Sequence, residues 1–117
     1  MFAAYTNALD LVRSLAPIVE ALRSHNADLA DQLVRAGTSV VLNVAEGSKR
    51  SGGDIRKFYS YAHGSASEIR ACLDTADAWG WIVDAQRARA LVDRELGLLW
   101  GLTKGKQGGR ASRPVSG

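Results

Sequence analysis

The chain is poor in the residues that carry most recognisable chemistry. Its 117 residues include one cysteine, Cys72, and two histidines, His25 and His63. A lone cysteine excludes an internal disulfide and fits a reducing compartment, where a buried, inert thiol is expected. Neither histidine follows an acid by three residues, which excludes the Glu-x-x-His pairs of a di-metal bundle. No phosphate-loop, zinc or dinucleotide spacing is present, so no metal and no cofactor is expected. The first residues, Met1 to Tyr5, show no basic leader, and no apolar run is long enough to cross a bilayer. A cytoplasmic protein without membrane contact is expected. Prolines are scarce too, only Pro17 and Pro114, which favours an all-helical class.

What is present is helix-forming. Ala, Leu, Arg, Asp and Val dominate, and a hydrophobic share of 46% with 23% charged residues is that of an ordinary globular chain of one domain. The formal charge of +3 is uneven. Residues 103–117 hold Lys104, Lys106, Arg110 and Arg113 without an acid, contributing +4 and leaving the rest at −1. A nucleic-acid surface must therefore be local.

Apolar residues recur at three- and four-residue steps through four segments. The first runs from about Asn7 to Ser24 with Ala8, Leu11, Val12, Leu15, Ile18, Val19 and Leu22. Pro17 should kink it or mark a join. The second spans about Asp28 to Ser48, capped by Asp28, with Leu29, Leu33, Ala36, Gly37, Val40 and Val44 central to its apolar face. Beside that face runs a polar stripe: Asp28, Gln32, Arg35, Ser39, Asn43 and Glu46. The short Ser39 and Asn43 suit a close helix–helix contact.

Ser48 to Gly53 reads as a basic loop broken by Gly52 and Gly53. Asp54 should cap a third helix reaching about Trp79, with Ile55, Phe58, Tyr59, Ala62, Ala66, Ile69, Leu73 and Ala76 inward. Gly64 and Ser65 interrupt good helix formers there. A mid-helix glycine costs up to ~1 kcal/mol against alanine, so close approach of another backbone is expected at Gly64. Gly80 ends this helix. Asp84 should cap a fourth, ending near Leu102 with Ala88, Leu91, Val92, Leu98 and Leu99 inward. The fold expected is all-α: an up-down-up-down antiparallel four-helix bundle over 1–103 and a disordered basic C-terminal tail over 104–117.

Leu29, Gln32, Arg35-Ala36, Ser39, Asn43 and Ala45-Glu46-Gly47, with Phe58, Ala62, Gly64-Ser65, Glu68, Leu73 and Gly80-Trp81-Ile82, form a pattern covering roughly residues 6–102. It resembles the signature of the four-helix-bundle proteins of 23S rRNA intervening sequences. That family often has a proline where this chain has Val41, so a straighter second helix is expected. The resemblance implies a homo-oligomeric, usually pentameric, helical barrel without known catalytic activity. It is similar to the accessory variability proteins of diversity-generating retroelements, whose basic surface engages structured RNA and a reverse transcriptase.

Three functional readings follow. Lys49, Arg50, Arg56 and Lys57 flank the second turn and, with the tail cations Lys104, Lys106, Arg110 and Arg113, offer phosphate contacts. That reading makes the protein a non-enzymatic RNA-binding scaffold. A rival is a HEPN-like ribonuclease using Arg56 and His63, seven residues apart on one helix face; a third is a scaffold for protein alone. Asn43, Glu46, Ser65 and Glu68 bring two carboxylates together on facing helices, the makings of an acid–base site. The bland alternative, preferred here, is a buried polar network fixing helix register. Trp79, Trp81 and Trp100 are expected to anchor core or interface. The wide apolar faces of the second and third helices, with Leu42 on the opposite edge, point to self-association.

Overall fold

The computed structural model describes residues 2–50, 52–82 and 84–115, with side chains described as far as Thr103. Four helices, α1 Ala3–Leu22, α2 Ala27–Ser48, α3 Gly53–Ala78 and α4 Gln86–Val115, follow one another. Each packs on the next, and α4 closes the ring against α1. No strand occurs among the described residues. The short connections make the neighbours antiparallel, so this is the four-helix bundle expected from the periodicity.

The stripes close on one core. Leu11, Leu22, Leu33, Val40, Val44, Ile69, Leu73, Val92 and Leu99 are fully buried. On α1 the buried positions Ala4, Ala8, Leu11, Leu15, Ile18 and Leu22 keep the helical step throughout. Pro17 sits exposed within this helix and does not divide it. Proline lacks an N–H, so one backbone donor is forgone there while the helix runs on through it.

Three helix starts differ from expectation. Asn26, not Asp28, caps α2: its side chain accepts the Leu29 N–H at 2.9 Å. Asn26 is extended, as a cap must be, whereas Asp28 is already helical and instead meets the positive end of the helix dipole. Gly52, at φ 68°, precedes α3 with no side-chain cap, leaving Asp54 inside the first turn. Asp84 does accept the Gln86 N–H at 3.1 Å, while α1 begins four residues before Asn7. The end of α3 is a glycine-based stop. Gly80 has φ 77°, and the Trp81 N–H reaches back to the Ala76 carbonyl at 2.8 Å.

Alternation fixes two ends. The α2–α3 turn, the start of α1 and the exit of α4 share one end. The α1–α2 turn and the α3–α4 connection share the other. The fourth helix does not stop near Leu102: residues 104–115 of the basic tail continue α4 as helix. Their side chains lie outside the described residues, and this tail leaves the bundle beside the basic loop.

Candidate nucleic-acid interface

The α2–α3 turn is built over a glycine. A Cβ on Gly47 would stand 2.7 and 2.9 Å from Tyr59 ring atoms and 3.3 Å from Phe58 Cβ. The start of α3 thus presses onto the last turn of α2, and Tyr59 is buried there. Gly64 is the opposite case. It faces solvent with nothing within 4 Å of a Cβ, so the close approach expected there occurs at Gly47 instead.

Phe58, next to Tyr59, becomes a platform for charge. The Arg50 guanidinium lies 5.1 Å and the Lys57 ammonium 5.3 Å from its ring centroid, both within cation–π range. Tyr61 meets the same ring edge-on at 5.9 Å. Arg50 also donates through Nε to Glu46 Oε2 at 2.9 Å and pairs with it through a second nitrogen. This hydrogen bond and the arginine charge hold the Glu46 carboxyl below the usual carboxylate range. Lys49, Arg56 and Lys57 are exposed and make no ion pair among the described residues. The loop therefore presents three cations without an ion pair among the described residues, Lys57 among them resting over Phe58, and one half-neutralised arginine. Lys104, Lys106, Arg110 and Arg113 fall on side chains outside the described residues.

The polar stripe divides. Ser39 and Ser65 hydroxyls bond at 2.8 Å between α2 and α3. Asn43 Nδ2 donates to the Ser39 carbonyl at 2.9 Å and to its hydroxyl at 3.0 Å. Gln32, Arg35 and Glu68 are exposed. Glu46 turns to Arg50 and Glu68 makes no hydrogen bond among the described residues, so no bond joins the two carboxylates to the serines. Arg56 is exposed and His63 half-buried against Trp100, ring centroids 6.3 Å apart. No hydrogen bond joins Arg56 to His63, and two helical turns separate them by roughly 10 Å along the axis. No three His, Cys, Asp or Glu side chains cluster among the described residues.

Sequence reasoning missed the most unusual polar pair. Glu95 on α4 is wholly buried and Asn7 on α1 nearly so, bonded at 2.8 Å. The signal was present: Glu95 continues the Leu91, Val92, Leu98, Leu99 stripe, where a charge is out of place. Cys72 is buried, and burial with the nearby Glu68 charge pushes its thiol up. None of the tryptophans enters the core: Trp79 and Trp100 are exposed and Trp81 half-buried.

Geometry alone defines a small helical bundle with a cationic end. A model of the 23S rRNA-intervening sequence protein family matches residues 2–95. The chain belongs to that family. No curated protein matches it. Among solved structures, it is similar to a protein with unknown function from the S23 ribosomal protein family of Bacteroides thetaiotaomicron. That protein aligns with a TM-score of 0.77 at 19% identity, over 86% of this chain and 98% of the other. At that identity the likeness speaks for the fold.

Proposed function

We propose that this protein is a non-enzymatic, self-associating helical scaffold that binds structured RNA, alone or within a ribonucleoprotein such as a reverse transcriptase complex. The observation that carries the reading is convergence of positive charge. Lys49, Arg56 and Lys57 stand without an ion pair among the described residues at the end of the bundle from which the tail departs, and that tail adds four cations and no acid. Phosphate contact by such a cluster is sequence-tolerant and salt-sensitive. Phe58 and Tyr61 beside the cations suit stacking on an unpaired base.

Self-association is supported by apolar surface that the monomer leaves open. Leu42 is 61% and Val34 44% exposed. Val34 borders a hollow of about 220 Å³ between α1 and α2, lined by Val12, Leu15, Ala16, Val19 and Leu33. A homopentamer repeats the basic end five times, converting weak contacts into avidity.

The test is an RNA shift assay across salt concentrations. Lys49→Glu with Arg56→Glu should abolish binding at moderate salt, and removing each phosphate-binding cation should flatten the log–log slope by about 0.7. Intact binding in that variant overturns the reading. RNA cleavage abolished by His63→Ala would replace it with the ribonuclease.

A further inference from the structure

The end of the bundle opposite the basic loop carries a different surface. Three flat rings stack there in series. Trp79 lies on Trp81 at 5.5 Å with 12° between planes, and Trp81 lies on His25 at 6.0 Å with 10°. The order matters: Trp81 is paired with both His25 and Trp79, whereas Trp79 ends the series and is 68% exposed. Exposing a tryptophan face to water forfeits a large apolar burial, and here the glycine stop at Gly80 and the stack hold it outward.

The charges around it select the partner. Arg23, Arg70 and Arg89 are occupied by Asp31, Asp93 and Asp74, at 2.7, 3.3 and 2.6 Å respectively. Glu20, Asp28 and Asp77 have no ion-pair partner among the described residues, and Asp84 spends one oxygen on the Gln86 N–H. Asp77 and Asp84 border one hollow of about 320 Å³. Asp84 and Trp81 border a second of about 360 Å³. Arg87 is the cation left without an ion pair here among the described residues. A phosphate-bearing strand would meet net repulsion at this end. A planar cation meets both an open ring face and free carboxylates.

We propose that this end is a docking surface for an arginine-bearing protein segment, with a guanidinium stacked on the outer face of Trp79 and its neighbours held by Asp77 and Asp84. Arginine is favoured over lysine because its planar group stacks on the indole and still donates sideways to carboxylates. The two ends of the bundle then hold chemically opposite partners, phosphate at one and guanidinium at the other.

The full-length protein is titrated with a fluorescent nona-arginine peptide, a nona-lysine peptide of equal charge, and an oligouridylate, by anisotropy. The arginine peptide should bind the wild type more tightly than the lysine peptide. Trp79→Ala should weaken arginine-peptide binding roughly three- to tenfold and remove the preference over lysine. Asp77→Asn with Asp84→Asn should weaken both peptides. Lys49→Glu, at the far end, should not weaken either. Trp79 is exposed, so its variant should melt like the wild type. The proposal is overturned if Trp79→Ala leaves the arginine preference intact. It is also overturned if oligouridylate binding is what Trp79→Ala removes, or if self-association proves to bury Trp79.

Discussion

Asn7 on α1 donates one side-chain amide to two acceptors on α4, Glu95 Oε1 at 2.8 Å and the Leu91 carbonyl at 3.0 Å. The second carboxyl oxygen, Oε2, is buried without a partner. Burial pushes the Glu95 carboxyl up to about 7, outweighing the Asn7 bond and the Arg94 charge, which pull it down. An unfolded chain releases this proton near pH 4.5. Below that value both states are protonated and the residue costs nothing extra. Between about pH 4.5 and 7 the unfolded chain gives up the proton while the fold retains it, so stability falls as pH rises. The full loss, roughly 3 kcal/mol, is reached above the folded value. Glu95→Gln should therefore narrow the stability difference between pH 5 and pH 8. Urea unfolding of both proteins at fixed concentration measures it, and equal pH dependences would rule out a buried titrating Glu95.

Gly47, at the α2–α3 contact, and Gly64, on the solvent side of α3, should behave oppositely. Gly47→Ala places a methyl within 2.9 Å of the Tyr59 ring, which is buried and must shift to admit it. The expected cost is about 1–3 kcal/mol, read as a lower melting temperature. Gly64→Ala adds a methyl in open solvent and removes a poor helix former, so it should stabilise by roughly 0.5–1 kcal/mol. The reverse order of melting temperatures would contradict this packing.

Ser39 and Ser65 form a hydrogen bond between α2 and α3, and Asn43 supports it from one turn away. Their coupling is accessible to a double-mutant cycle. Ser39→Ala and Ser65→Ala should each destabilise, and the pair together should cost less than the two costs added, by roughly 0.5–1.5 kcal/mol. Strict additivity would reduce the bond to incidental proximity.

Glu46 takes a role that spacing alone did not reveal. At helical steps it aligns with Ser39 and Asn43, yet its carboxylate reaches Arg50, one turn on. Exposed pairs of this kind contribute little to stability, so Glu46→Gln should fold normally. It releases Arg50 to phosphate. RNA affinity at low salt should rise, with a salt slope steeper by about 0.7. Weaker binding would mean that the pair organises the loop rather than masking it.

Periodicity located all four helices because burial repeats with the helical step, as Leu33, Ala36, Val40 and Val44 illustrate. It failed where a residue's partner belongs to another helix. Gly47 and Gly64 are equivalent as letters; only the neighbouring Tyr59 separates them. The caps went to Asn26 and Gly52 because backbone conformation, not the presence of an aspartate, decides where a helix begins. The cations around the second turn were legible as a cluster. Their division into free Lys49 and tethered Arg50 was not, since Phe58 and Glu46 could be taken as core and network.

The open apolar surface gives the last expectation. Val34 and Leu42 lie on α2 and are largely exposed, and neither can be covered within the monomer. If copies pack through these positions, a charge at either one is desolvated on assembly, at a cost of several kcal/mol. Val34→Glu and Leu42→Glu should therefore shift sedimentation toward the monomer without altering helix content. RNA affinity should drop with assembly even though the basic loop is untouched, because avidity depends on several loops acting together. An unchanged sedimentation coefficient in both variants would place the self-contact elsewhere on the bundle. A monomeric variant with wild-type RNA affinity would separate binding from assembly.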